Sequence, residues 1–290
     1  MATNDDELRV RSAAPTDVPI TLTHYTELAG LKGIVKNKEF WLSNASFLND
    51  PEELRHGVRR AQAVIKNMSA SVVVEDPTSR GRRDLINRIA KDFTAFAVPD
   101  AYVTCFCEDG DLLSQWRGYS ARQGISVTFK IDGLRSAFND MGAEIQQVHY
   151  GTQRASKEMM AHIKRELPDI MDDFEYMMGS MTTDQIRQAF SELMARLVPR
   201  FKHQGFAEEK EWRFVVIDPP NSALQFRPRG QLMLPYVHLR SKSGDRLPIT
   251  KVTIGPGIHD DAVATSMKFF MSKMGYSTDV VAASSTPYRS

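Results

Sequence analysis

In the segment Phe206 to Val216, FAEEKEWRFVV, Glu209 and Glu211 lie two residues apart at the start of a strand-forming run. Alternation along a strand puts such a pair on one face, and Arg213 continues that face. Neighbouring carboxylates repel each other unless a cation or a substrate occupies the space between them. The chemistry that suits them is stabilisation of an electron-poor, sugar-like centre, with one carboxylate facing developing positive charge and the other handling a proton. The same residues also fit a charged edge strand facing water, with Arg213 paired to Glu211.

Two further groups offer ligand chemistry. His24-Tyr25-Thr26 closes a short strand before a helix, where a histidine and two hydroxyls can serve a polyol or an amide. In Gln115-Trp116-Arg117-Gly118-Tyr119 the two aromatics are three apart, on one side of a helical turn. They suit either stacking on a flat ring or capping of the core. Trp41, in EFWLS, is expected in the core. Gly255-Pro256-Gly257 follows a strand and reads as a tight turn, since no phosphate-loop pattern surrounds it. The seven histidines are scattered along the chain, so no metal site is expected.

The elements that must hold these residues are mixed in order. ITLTHY reads as a strand, Glu27 to Lys36 as a helix capped by Thr26, and EFWLS as a second strand. Asp50-Pro51 starts a helix running to about Met68, and Asp84 to Phe96 is helical after an arginine-rich loop, Arg80 to Arg88. AYVTCFCED, GISVTFKID and GAEIQQVHY are strand candidates, as are EWRFVVID, LPYVHLR, KVTIGP and the last segment, Tyr276 to Ala282. A final helix spans about Asp260 to Met274. Without sustained strand–helix alternation the fold class is α+β, with a mixed, largely antiparallel sheet. Residues 1–18 are expected as a disordered tail. Residues 19–290 are expected as a single domain with a Met- and Arg-rich helical insertion at about 153–204.

Composition narrows the function classes. Lys and Arg number 37 against 36 for Asp and Glu, a net charge of +1, so no overall field draws the chain to polyanions. No apolar run of about 18 residues and no secretory pattern is seen, and the expected compartment is the cytoplasm, with no membrane partner. Cys105 and Cys107 are the two cysteines, which excludes a disulfide framework and a four-cysteine zinc site.

Taken in order, LTHYT, FLNDPEE, VTCFCED, SQWRGYSARQGISVTF, EKEWRF, VTIGP and STPYR resemble a widespread bacterial family of domains without an assigned function, over about Leu22 to Arg289. More distantly, a histidine ending the first strand, an aromatic-bearing middle and a late Glu-x-Glu are similar to the ADP-ribosyltransferase superfamily, which splits NAD at the nicotinamide–ribose bond. That resemblance implies an ADP-ribosyltransferase-like sheet core and NAD as substrate. It puts His24 on the nicotinamide ribose, Glu211 beside the oxocarbenium-like centre and Glu209 against the acceptor. Tyr25, Thr26, Trp116, Tyr119 and Arg213 would complete the NAD site, with Tyr25, Trp116 or Tyr119 stacking on nicotinamide. The function implied is an effector, such as a toxin or phage-defence component, that modifies a protein or nucleic acid and answers to a regulatory or antitoxin protein. A non-catalytic nucleotide sensor and a phosphodiester-cleaving enzyme whose carboxylates bind metal are the alternatives.

Overall fold

A computed structural model describes residues 18–48, 51–71, 75, 80–81, 83–84, 87, 100–119, 124–138, 142–151, 153, 156–161, 183–242, 244–257 and 261–287. The expected tail lies outside these residues apart from Val18, which packs against the core. Most of the expected 84–96 helix, much of the 153–204 insertion and Asp50 also lie outside them.

The fold is α+β. Strands β1 (Thr21–Glu27), β2 (Glu39–Asn44), β3 (Ala101–Cys107), β4 (Gly124–Lys130), β5 (Glu144–Gln147), β8 (Glu211–Ile217), β9 (Gln225–Arg229), β10 (Leu232–Arg240), β11 (Ile249–Ile254) and β12 (Val281–Ala283) form one sheet. All its pairings are antiparallel except β11 with β12. A separate parallel pair joins β6 (His149–Tyr150) to β7 (Phe201–Lys202).

The sheet forks at β3. One side of β3 is taken along its whole length by β8, from Ala101 opposite Ile217 to Cys107 opposite Glu211. Its other side is shared. β1 joins at its end through Thr23 and Cys107, and β2 joins at its start through Ser43 and Asn44. β4, β11 and β12 extend the β1 branch, and β10 and β9 extend the β2 branch.

One sheet face carries the main core. Phe40 sits at its centre, with the rings of His24, Phe106, Phe129, Phe138 and Phe214 at centroid distances of 5.1–6.4 Å. Three helices cover that face: α1 (Leu28–Asn37) with Leu31, Ile34 and Val35, α4 (Ile131–Ala137) with Ile131 and Leu134, and α6 (Asp261–Lys273) with Met267 and Met271. The opposite face is covered by α2 (Pro51–Ser71), α3 (Leu113–Tyr119) and α5 (Thr183–Leu197).

Proline sets two helix boundaries. Pro51 opens α2 at a position that needs no N–H. α5 ends at Leu197, just before Pro199, because proline lacks the donor that would continue the helix. Thr26 is not a cap: it pairs with Ile125 inside β1, and Glu27 precedes α1 without a side-chain cap bond. Trp41 is not in the core. Alternation along β2 buries Phe40 and Leu42 and leaves Trp41 43% exposed. The helical insertion closes earlier than expected, because residues 201 and 202 extend to pair with β6. α4 and β9 were not read from the sequence.

A candidate site at the start of strand β8

Glu211 opens β8 and is 2% exposed. β8 is not an edge strand, since β3 flanks it on one side and β5 on the other. Alternation places Glu211 and Arg213 on the face opposite the main core, alongside Cys105 and Cys107 of β3. Arg213 grips the carboxylate, its Nε donating to Glu211 Oε1 at 2.6 Å and its Nη2 to Oε2 at 3.0 Å. Its Nη1 donates to Pro199 O at 2.6 Å, fixing the guanidinium from the third side.

Glu209 reaches the same place by a different route from strand alternation. It ends a 3-10 turn, Gln204–Glu209, and Lys210 follows in the left-handed region at φ 41°, turning the chain into β8. The cation that the two acids require is Lys202 of β7. Its Nζ donates to Glu209 Oε2 at 2.7 Å and to Glu211 Oε2 at 2.9 Å, 4.8 Å from the Phe206 ring centre. The Lys202 and Glu209 side chains are 11% and 14% exposed, against 3% for Glu211, so the little solvent that reaches this cluster meets Lys202 and Glu209.

Electrostatics follow from that packing. Burial works against charge on Glu211, but Arg213 and Lys202 outweigh it and bring the carboxyl down to about 2. Glu211 is therefore ionised at any ordinary pH and acts as a fixed negative charge, not as an acid. Burial, with Glu211 nearby, pushes the thiols of Cys105 and Cys107 up, so both stay protonated. Burial likewise raises the Tyr150 hydroxyl, which accepts from the Glu211 N–H at 2.7 Å.

The other expected site residues divide between the two faces. Thr23 lies opposite Cys107, so Tyr25 shares the Glu211 face and His24 points to the other one. The structure therefore does not bring His24 to Glu211. The His24 ring sits between Phe40 and Phe106, and its Nδ1 donates to Cys105 O at 2.8 Å, bridging β1 and β3 where the sheet forks. Burial depresses its pKa and keeps it neutral. Thr26 points the same way as His24, with its Oγ1 against Gly30 of α1.

Tyr25 and Trp116 do lie on the Glu211 side, in one buried cluster with Cys107. Their rings meet edge to face at 4.8 Å, and Trp116 is 1% exposed, so it caps the core rather than offering a face for stacking. Tyr25 Oη donates to Asp109 O and accepts from Leu112 N. Trp116 Nε1 donates to Asp111, whose carboxylate also receives Ser284 and Ser285 from the C-terminal segment. Burial opposes charge on Asp111, and these donors overcome it, holding it at about 2. Gly255 is required beside this cluster, because a Cβ there would come within 2.9 Å of the Trp116 ring and of Gly124 O. The Tyr119 side chain lies outside the described residues.

Sequence reasoning missed Lys202, Tyr150 and Asp111. Asp111 left a trace in the acid-rich CEDGD run. Lys202 and Tyr150 left none, because only the pairing of residues 149–150 with 201–202 brings them to the acids.

Among the described residues, no group of three or more His, Cys, Asp or Glu side chains is placed to hold a metal ion. No helix among them is long and apolar enough to cross a membrane. Residues 115–214, from α3 through most of β8, match the model of a family described as Protein of unknown function (DUF2971). No curated protein and no solved structure matches the chain.

Proposed function

We propose that the chain is an NAD-consuming glycosyl-transfer enzyme of the ADP-ribosyltransferase type, with Glu211 as its oxocarbenium-stabilising carboxylate. One observation carries this reading: a buried Glu211, held ionised by Arg213 and Lys202, shares an ammonium group with Glu209. Lys202 Nζ occupies the position between the two acids where a cationic ribosyl centre would be stabilised, in surroundings dry enough to strengthen the attraction. In the reaction the C1′–N bond of the nicotinamide riboside breaks and its electron pair leaves on nicotinamide. A nucleophile of the acceptor then bonds to C1′, and its proton passes to Glu209. Substrate would enter from the Lys202 side, with the ammonium withdrawing as the ribose arrives. In this reading His24 braces the fork of the sheet from behind and makes no contact with NAD.

The test is nicotinamide release from NAD, together with transfer of isotope-labelled ADP-ribose to the protein and nucleic-acid fractions of a cell lysate. Glu211→Gln is expected to lower release by about 10²–10³-fold, the usual loss when a transition-state charge partner is removed. Glu209→Gln is expected to keep hydrolysis and lose transfer. If folded wild-type protein releases no nicotinamide with any lysate fraction, the proposal is wrong.

A second reading has an observation of its own. Both oxygens of Glu211 already accept from basic side chains, Oε1 from Arg213 and Oε2 from Arg213 and Lys202, as in a buried ion pair that serves the fold. On that reading the chain is a nucleotide-binding sensor without chemistry. NAD would raise its melting temperature without being consumed.

A further inference from the structure

The β2 branch of the sheet carries an aromatic and basic surface on the same face as Glu211, since Ser43 of β2 pairs directly with Val103 of β3. Trp41 is its exposed centre. One side of the indole stacks on Tyr236 at 4.7 Å and 29°, and His238 meets it edge-on at 5.6 Å. The Arg227 guanidinium lies 5.4 Å from the Trp41 ring and 5.6 Å from Tyr236, tied down by an Nη2 donation to Ser43 Oγ at 2.8 Å. The indole is also held in place because Trp41 Nε1 donates to Glu39 Oε1 at 3.1 Å. Arg240 Nε donates to the other oxygen of Glu39 at 3.0 Å, so the carboxylate at the base of this surface is compensated.

The β9–β10 hairpin brings charge of one sign. From Pro219 to Gly244 the sequence has no Asp or Glu and includes Arg227, Arg229, Arg240 and Lys242, although the chain as a whole balances to +1. Arg229 and Arg240 are exposed on the β9–β10 hairpin that borders Trp41. An exposed tryptophan held rigid on a sheet, with guanidinium groups beside it, is the arrangement on which unpaired bases stack while phosphates meet the cations.

We infer that this surface binds single-stranded nucleic acid, with a base stacked on Trp41 and the backbone running along the arginines of β9 and β10. Duplex DNA and acidic peptides fit less well: bases within a duplex are stacked on both faces and leave none for the indole, and a polyglutamate-like peptide has no ring for it. The inference stands apart from the chemistry at Glu211, because binding requires no NAD.

Intrinsic fluorescence provides a specific readout. Of the three tryptophans, Trp116 and Trp212 are 1% and 2% exposed, so quenching by a stacked base reports Trp41. Full-length protein would be titrated with fluorescein-labelled oligothymidylate and oligouridylate, following anisotropy and, with unlabelled strands, tryptophan emission. Saturable binding that quenches emission and weakens as salt rises is expected. Trp41→Ala should weaken it roughly tenfold, the loss of one stacked base. Trp41→Phe keeps a ring on the surface and should retain most of the affinity while abolishing the quench. Arg229→Gln should lower both affinity and salt dependence, with the melting temperature of each variant confirming the fold. Absence of binding at low salt, binding without quenching, equal binding by Trp41→Ala, or equal competition by duplex DNA or polyglutamate would each overturn the inference.

Discussion

Glu211 and Arg213 form a charged pair that water hardly reaches, with three hydrogen bonds from one guanidinium and an ammonium on the far oxygen. Removing one partner leaves an uncompensated buried charge, whereas removing both leaves a cavity that apolar atoms can fill. Arg213→Leu or Glu211→Leu alone is therefore expected to cost about 3–5 kcal/mol, while the two combined should be close to neutral. Urea denaturation of the two single variants and the double variant measures this. Additive losses across the three would show that the residues act independently, contrary to the geometry.

At the level of elements, motifs far apart in the chain converge on one packing cluster. Tyr25 comes from β1, Cys107 from β3, Trp116 from α3 and Gly255 from the end of β11, and Asp111 ties the C-terminal Ser284 and Ser285 to that cluster. Tyr25 and Trp116 read as ligand contacts in the sequence because aromatics beside polar groups suit both uses, whereas Gly255 read as a tight turn. Trp116 is spent on packing because Gly255 lets the indole close against β4 and β11. Gly255→Ala is expected to destabilise the protein by about 1–3 kcal/mol, since both the ring and the Gly124 carbonyl would have to shift. Asp111→Asn should cost about 1–3 kcal/mol as well, and should speed hydrogen exchange at the Ser285 amide. An unchanged exchange rate there would mean that the C-terminal segment is held by something other than Asp111.

For the whole molecule, acid should act in two stages. Burial keeps His24 neutral in the folded chain, while the unfolded chain takes up a proton near 6.5, so stability falls as pH drops below that value. Glu211 and Asp111 are held at about 2, against ordinary values of 4.5 and 3.8, so their contribution is complete above those values and is lost as pH falls toward 2. The urea midpoint measured from about pH 7 to about pH 3 should therefore fall first below 6.5 and again below about 4.5. Burial depresses His56 in the same way, so His24→Gln should shrink the first stage and leave the second unchanged. A midpoint that stays constant over this range would contradict both.

Periodicity and turn chemistry determined the fold class, most of the strands and the helix at Pro51, because hydrophobic alternation and proline act over a few neighbouring residues. They also put Arg213 on the same face as Glu211, since residues two apart along a strand share a face, but left open whether the two pair with each other or serve a ligand. The tertiary structure alone decided the rest. Pairing across the fork sends His24 and Glu211 to opposite faces of the sheet, a separation set by the single register contact of Thr23 with Cys107. The parallel pair of His149–Tyr150 with Phe201–Lys202 delivers the ammonium between the two acids. Neither contact is encoded within any one stretch of sequence, because each depends on where segments many residues apart come to rest.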